Sequence, residues 1–207
     1  MNHLAHVVLA GPAEGARLGA FLGDHVKGTH ALERLSAPVA GGVRLHRFID
    51  SRCDNHPALR AFVRQLDPPW RRYGPIVLDV LFDTMLTRHW ARFGPSDLAR
   101  TGQEIDRLLI RHARILPERL RRFAAWARHY RLWTRYADRA MLEMVFAGLA
   151  RRHARPSPLA RGLELLDRHE TGIEALFLEV FPDLLGAVEA HPDRRRAGPV
   201  YSSISSM

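Results

Sequence analysis

Apolar residues recur at three- and four-residue intervals along most of the chain, and this spacing places them on one face of an α-helix. In the segment that begins at Glu14, for example, Leu18, Phe21, Leu22 and Val26 share a face. No segment alternates strictly between apolar and polar residues, as a half-buried strand would. The pattern therefore predicts an all-α protein of about seven to nine helices.

Proline and glycine residues divide the chain into these predicted helices. Gly28 is expected to end the first of them, and Pro75 to break or kink a longer one. The predicted helices cover residues 14–26, 38–52, 56–66, 70–93, 96–115, 117–132, 134–152 and 156–180, with a continuation over 184–190. Without an internal repeat or a long linker, residues 1–190 are expected to form a single domain, a helical bundle. Residues 191–207 are basic and then serine-rich, which predicts a mobile tail.

Charge, cysteine content and hydropathy limit the partners and the compartment that the sequence predicts. The net charge of +9 comes from 31 basic and 22 acidic residues, which favours acidic partners such as nucleic acid, an acidic protein or phosphate esters. A genome that favours arginine is the competing explanation, because Lys27 is the only lysine. Cys53 has no partner for an internal disulfide. With no signal peptide and no apolar run of about 20 residues, we expect a cytoplasmic protein without a membrane partner.

Two apolar segments carry acidic residues and a histidine at four-residue spacing. The segment from Val43 to Asp54 contains His46 and Asp50, and the segment Leu78-Asp79-Val80-Leu81-Phe82-Asp83 contains two more carboxylates. Residues four apart lie on one helix face. A buried carboxylate needs a cation or hydrogen-bond donors, and a metal or an arginine would serve. The first segment's polar residues could instead form a solvent-exposed stripe.

Metal-assisted hydrolysis is the chemistry that these residues favour. The sequence has no phosphate-binding glycine loop, no serine nucleophile elbow and no paired cysteine and histidine around Cys53. Oxygen-rich ligation with one or two histidines favours Mn²⁺, Mg²⁺ or iron over structural zinc.

Four segments in register also resemble a known family, the bacterial acyl carrier protein phosphodiesterases. These segments are Met1-Asn2-His3-Leu4-Ala5-His6, Gly23-Asp24-His25-Val26-Lys27-Gly28, residues 43–50 and residues 78–83, followed by His89-Trp90. The resemblance implies an all-α enzyme from a divergent branch of the His-Asp (HD) phosphohydrolase superfamily, dependent on a divalent metal, with manganese preferred. The implied reaction hydrolyses the phosphodiester that joins 4′-phosphopantetheine to a serine of holo-acyl carrier protein.

The resemblance also implies the site residues. The expected metal-site residues are Asp24, His46, Asp50, Asp79 and Asp83, and we expect Asp24 and Asp79 to act in catalysis. His6 and His89 are expected to lie beside them. Thr84 stands where relatives often carry histidine. Asp54 has no counterpart in the family pattern, and we interpret it as a carboxylate at a helix end.

An acidic carrier protein would also account for the basic charge. The arginines nearest in sequence to the expected site are candidates for docking it: Arg44, Arg47, Arg52, Arg71 and Arg72. Two alternatives stay open. One is another HD-type phosphohydrolase that acts on a nucleotide or a small phosphoester. The other is a non-catalytic, basic helical protein that binds nucleic acid, although no nucleic-acid partner is expected if the enzyme hypothesis holds.

Overall fold

Helices account for all the regular secondary structure in the computed structural model, which describes residues 1–152 and 156–196. Within these ranges the chain has thirteen α-helices, one 3₁₀ turn at Pro158–Arg161 and no strand, so the all-α prediction is confirmed. The helices are α1 His3–Ala10, α2 Glu14–Leu22, α3 Gly28–Glu33, α4 Ala37–Asp54, α5 Pro57–Gln65, α6 Trp70–Arg88, α7 Trp90–Phe93, α8 Leu98–Arg111, α9 Glu118–His129, α10 Leu132–Arg135, α11 Arg139–Arg152, α12 Leu163–Ala190 and α13 Pro192–Arg196.

Three glycine and proline residues that could mark helix boundaries do not end a helix in the structure. Gly28 adopts a positive φ of 74° and begins α3 rather than ending α2. Pro75 lies inside α6 without ending it, and the helix ends at Arg88. Pro182 lies inside α12, whose non-helical residue is instead His169. The helices outnumber the prediction because short helices such as α3, α7 and α10 occupy predicted turns or extensions of longer helices.

The core lies between α12 and α6, with α1 inserted beside them. Seven of the eight residues of α1 are buried, so this short helix has almost no solvent-facing side. Phe177 of α12 packs edge-on against Phe82 of α6, with ring centroids 5.6 Å apart. Because α1 is enclosed by the core, its polar side chains are held inside the protein rather than presented to water.

Close approach of α2 and α4 depends on glycine at the contact. A Cβ atom on Gly19 would lie 2.3 Å from the Val39 carbonyl oxygen, and one on Gly42 would lie 2.3 Å from the Ala16 carbonyl oxygen. Only hydrogen fits at either position. The two helix backbones therefore lie close enough for side chains of α4 to reach the carbonyl groups of α2.

The ordered chain extends beyond the predicted domain end at residue 190. Residues Pro192–Arg196 form α13, which packs against α4. Asp193 accepts two hydrogen bonds from Arg44, at 2.6 and 2.8 Å, and Arg194 is buried with its guanidinium over Gly11. These contacts correct the prediction that the mobile tail begins at residue 191. The rest of the predicted tail, residues 197–207, lies outside the described residues.

No helix in the described ranges combines the length and the hydropathy that crossing a bilayer requires.

Candidate metal centre

Two histidines and a carboxylate from different helices meet at one point. His6 comes from α1, and His46 and Asp50 lie one turn apart on α4. One ligand atom from each of the three side chains lies within 4.8 Å of the others. His6 and His46 are buried, whereas the Asp50 side chain is partly exposed. The triad is therefore enclosed on the histidine side and open on the carboxylate side.

The His46 ring is fixed in a single orientation by α2. Its Nδ1 lies 2.8 Å from the carbonyl oxygen of Ala20, and a carbonyl only accepts, so Nδ1 carries the proton. The other nitrogen, Nε2, faces the triad, 3.0 Å from Asp50 Oδ2. A backbone carbonyl that holds one imidazole nitrogen while the other faces a metal is the usual arrangement around a histidine ligand.

Three of the four ring nitrogens of the triad, both of His6 and Nε2 of His46, lack aligned hydrogen-bond partners. His6 stacks on His46 with ring centroids 3.9 Å apart, and its Nε2 lies 2.9 Å from Asp50 Oδ1. The contacts of His6 and His46 with Asp50 are close but do not have the angle of a hydrogen bond. Nε2 of each ring therefore has no hydrogen-bond partner. Buried polar atoms without partners are costly. The potential ligand atoms of the three side chains lie around one shared space, as the ligands of a single cation do.

The electrostatic environment also favours a cation at this point. Burial would lower the pKa of His46, but Asp24 and Asp50 raise it to about 9. Burial and, after it, the neighbouring His46 lower the pKa of His6 to about 4. Burial opposes ionisation of Asp50, yet His46 and His6 hold its pKa well below the usual range. At neutral pH the centre thus combines an ionised Asp50 and a neutral His6 with a protonated His46, whose Nε2 proton a bound divalent metal would displace. Two imidazoles and a carboxylate fit a divalent metal.

Asp24 lies at the open side of the triad. Its Oδ1 is 3.6 Å from His46 Nε2, and its side chain is largely exposed. The interaction with His46 lowers the pKa of Asp24 to about 2, so this carboxylate is ionised at neutral pH. The structure therefore brings Asp24 beside the triad, at the position from which solvent or a substrate would reach it.

Asp79 lies on the other side of Asp50 and contacts the amino group of Met1. The Met1 nitrogen is 2.9 Å from Asp79 Oδ1 and 3.4 Å from Asp50 Oδ1. Burial would lower the pKa of this amine, but Asp79 and Asp50 contribute to raising it to about 12. Asp79 is thus joined to the triad through a positive charge that both carboxylates share.

The structure does not bring Asp83 into this cluster. It is completely buried, and its two carboxylate oxygens accept hydrogen bonds from the backbone N–H groups of Leu4 and Ala5, each at 2.9 Å. These donors belong to the first turn of α1, where helix N–H groups have no partner within the helix. Asn2 precedes that helix, but its side chain donates to Tyr136 instead of capping it. Asp83 therefore caps α1 from α6, and both of its oxygens are occupied.

Two other residues considered from the sequence also lie apart from the triad. His89 Nε2 lies 2.6 Å from Glu174 Oε1, and its ring stacks on Phe177. Asp54 is exposed at the last residue of α4. The structure accordingly pairs His89 with α12 and leaves Asp54 at a helix end.

An open depression leads to the triad and has basic side chains on its wall. Asp24, His46 and Asp50 line it together with Lys27 and Arg47. Arg47 donates to the Val26 carbonyl oxygen at 2.8 Å, which holds its cation near the opening. Of the five arginines proposed for docking, only Arg47 lines this depression. Arg44 is paired with Asp193, and Arg71 donates a hydrogen bond to the Leu66 carbonyl oxygen. Arg72 lies over the Tyr73 ring, and Arg52 is exposed on α4.

Gly23→Ala is expected to weaken metal binding about ten- to a hundredfold, because it would displace a ligand that is held by its surroundings. A Cβ at Gly23 would lie 2.2 Å from Cγ and Cδ2 of His46, so the ring would have to move away from the Ala20 carbonyl. Isothermal titration of the metal-free protein with Mn²⁺ measures the affinity.

Gly186→Ala is the matched control for Gly23→Ala, because a Cβ there meets nothing within 4 Å. Its metal affinity is expected to equal that of the unsubstituted protein. Equal affinities for both variants would show that the His46 orientation does not govern binding.

His6 is the site residue whose importance the sequence understated. The pattern around it is an apolar run with histidines at positions 3 and 6, and so short a run does not by itself predict a helix. The available signal was a three-residue spacing of two histidines within an otherwise apolar segment, which places both on one face of a helix.

A family model described as "Acyl carrier protein phosphodiesterase" matches residues 1–184 of the chain. The match therefore includes every residue of the triad together with Asp24, Asp79 and Asp83.

Curated proteins carrying the same name are similar over nearly their whole length. A protein of Serratia proteamaculans (strain 568) is 34% identical over 186 residues, which is 89% of this chain and 96% of the relative. One from Photorhabdus laumondii subsp. laumondii is 31% identical over 190 residues, covering 91% of this chain and 96% of the relative. One from Escherichia coli O6:H1 is 32% identical over 190 residues, covering 89% and 96%. No solved structure matches.

Proposed function

The chain belongs to the acyl carrier protein phosphodiesterase family, and we propose that it hydrolyses the phosphodiester of holo-acyl carrier protein by means of a divalent metal held at the triad. The products are apo-acyl carrier protein and 4′-phosphopantetheine. The proposed ligands are His6, His46 and Asp50, and the proposed metal is manganese, with magnesium or iron as alternatives. When bound, such an ion supplies an activated water and polarises a phosphoryl oxygen.

The single observation that carries the metal proposal is the pair of unpartnered buried nitrogens. His6 Nε2 and His46 Nε2 lie within 3.0 Å of Asp50 oxygens without forming hydrogen bonds to them. A site evolved only for stability would align these donors and acceptors, since an unsatisfied buried group costs about 1–3 kcal/mol. A cation in the shared space satisfies all three side chains together.

The remaining carboxylates have proposed roles that follow from their positions. Asp24 Oδ1, ionised and at the open side, accepts a hydrogen bond from a water molecule and orients it toward the phosphorus atom. Asp79 holds negative charge next to Asp50 and is a candidate for a further metal ligand. Asp83 has a structural role as the cap of α1, because both of its oxygens accept backbone hydrogen bonds.

Charge complementarity supports an acidic protein as substrate. The chain has a net charge of +9, and Lys27 and Arg47 flank the opening of the proposed centre. Attraction between a basic opening and an acidic carrier speeds encounter and weakens as salt screens the charges. We therefore propose that the carrier docks at the Lys27 and Arg47 side of the depression, with its modified serine directed toward Asp24.

The test incubates the purified protein with Mn²⁺ and holo-acyl carrier protein and weighs the carrier by mass spectrometry. The expected result is loss of the phosphopantetheine mass in the presence of Mn²⁺ and no loss after chelation. The KM for the carrier is expected to rise with ionic strength, because docking depends on charge.

Two outcomes would contradict this proposal. Turnover of a small phosphodiester without any change in the carrier would favour another phosphohydrolase of the same chemistry. Salt-dependent binding of nucleic acid, with no metal bound and no turnover of either substrate, would favour the non-catalytic alternative.

A further inference from the structure

A cavity beside the proposed centre has an apolar floor and a basic rim. Its volume is about 580 Å³, within the range of small-molecule sites. Phe123, Trp126, Met144 and Leu149 contribute apolar surface. The cavity also receives four arginine side chains from two helices: Arg119 and Arg122 from α9, and Arg151 and Arg152 from α11.

The charges on this rim are only partly compensated. Arg122 pairs with Glu118, but within the described ranges Arg119, Arg151 and Arg152 have no carboxylate at ion-pair distance. Burial lowers the pKa of Arg152, and the charges of Arg119 and Arg151 lower it further. Grouped cations beside apolar surface favour a ligand that is itself part anion and part apolar.

The cavity adjoins the proposed centre through the first turn of α1. Asn2 and His3 line it, and the His3 ring lies 4.5 Å from the ring of Phe123. His3 is one helical turn before His6 on α1. Asp24 Oδ1 lies 3.6 Å from His46 Nε2, at the open side of the centre. A chain running from the centre past His3 would enter the cavity.

Arg119 and Arg152 line the cavity together with Asn2 and His3, and in the described part of the chain neither has a carboxylate at ion-pair distance. Arg119 acts electrostatically on His25, the neighbour of Asp24, and Arg152 acts on His3. Their cations are therefore available to the anionic end of a ligand that enters the cavity past His3.

We infer that this cavity binds the 4′-phosphopantetheine arm of the substrate, with the phosphate end between Arg119 and Arg152 and the thiol end against Trp126 and Met144. The inference rests on the proposed function for the identity of the arm. The dimethyl and methylene groups of the arm match the apolar floor, and its one anionic group matches the rim. Carrier docking at Lys27 and Arg47 and arm binding in the cavity would place the phosphodiester between them, next to Asp24.

Gly148→Leu tests the cavity without disturbing the centre. Gly148 lines the cavity in α11, and a Cβ there would meet only Arg151 Nη2, at 3.9 Å. The backbone therefore accepts a side chain, which would occupy space proposed for the arm. Gly186→Leu is the matched control, since this glycine of α12 has nothing within 4 Å of its Cβ position and does not line the cavity.

Isothermal titration of the full-length protein with Mn²⁺ present is the primary measurement, with 4′-phosphopantetheine, pantetheine and inorganic phosphate as separate probes. The unsubstituted protein is expected to bind 4′-phosphopantetheine about tenfold more tightly than either of the other probes. Gly148→Leu is expected to weaken that binding about tenfold and to raise the KM for holo-acyl carrier protein similarly. Its turnover of bis(p-nitrophenyl) phosphate should be unchanged, and Gly186→Leu should change nothing.

The outcomes separate this inference from the proposed function. Unchanged binding and unchanged KM in Gly148→Leu would overturn the cavity assignment while leaving the phosphodiesterase activity intact. Phosphate binding as tight as that of 4′-phosphopantetheine would also overturn it, because the arm would then contribute nothing. Failure of the unsubstituted protein to release phosphopantetheine would contradict the function, and the titrations would still decide the cavity.

Discussion

Replacing His46 with alanine is expected to remove the bound metal and to lower kcat on holo-acyl carrier protein by about 10³-fold or more. Its ring is the best-fixed group of the triad, with Nδ1 held at 2.8 Å by the Ala20 carbonyl and Nε2 free for a ligand bond. Metal content by mass spectrometry of the purified protein, together with turnover of the carrier, measures both effects. His6→Ala is expected to behave in the same way, because it supplies the second unpartnered nitrogen.

His89→Ala is the control for these substitutions. This histidine also contacts a carboxylate, Glu174 at 2.6 Å, but it packs against Phe177 away from the triad. Its metal content and kcat are expected to stay within about twofold of the unsubstituted protein, because no triad contact is lost. Full metal content and normal turnover in both His46→Ala and His6→Ala would refute the proposed centre.

The part of the centre that the sequence predicted lies within a single helix. His46 and Asp50 are four residues apart in a segment with clear helical spacing, and in the structure His46 Nε2 lies 3.0 Å from Asp50 Oδ2. The pairing needs only the helix repeat, which sequence shows directly. The same repeat accounts for the all-α prediction, since it holds along most of the chain.

The contribution of His6 could not be read from the sequence in the same way. It reaches His46 because α1 is buried beside α4, and the two histidines are forty positions apart in the chain. The close contact of Gly19 with Gly42 then sets how near α4 lies to the Ala20 carbonyl. Contacts of this kind depend on tertiary packing, for which a single sequence carries no local pattern.

Glycine and aspartate each allowed an interpretation that tertiary structure reversed. Gly28 was expected to end a helix, but its positive φ lets the chain turn into α3. The family resemblance implied Asp83 as a metal-site residue, while burial alone required only a cation or hydrogen-bond donors. Its donors proved to be backbone N–H groups of another helix, which the sequence does not display.

Asp83→Ala is expected to destabilise the protein by about 2–4 kcal/mol, because it leaves two buried N–H groups without acceptors at about 1–3 kcal/mol each. The donors, Leu4 and Ala5, begin the helix that carries His6, so metal affinity is expected to fall as well. Urea unfolding followed by circular dichroism measures the stability.

Asp97→Ala is the control: Asp97 caps α8 from the helix's own N-terminus on the surface, so a cost of about 1 kcal/mol is expected. An equal cost for both variants would contradict the role assigned to Asp83.

The Asp83 cap should also make stability depend on pH in an unusual direction. Burial raises the pKa of Asp83 to about 7, above the ordinary value of 3.8. Between these two values the folded protein holds a proton that the unfolded chain has lost, so this group stabilises folding fully below about pH 4 and loses that contribution as the pH rises through 7.

Asp83→Asn cannot titrate, yet it retains one acceptor for α1. The free energy of unfolding of the unsubstituted protein, measured relative to Asp83→Asn, is therefore expected to increase by about 2–3 kcal/mol from pH 8 to pH 5. A difference that is constant with pH, or that increases toward pH 8, would show that Asp83 remains ionised when it caps the helix.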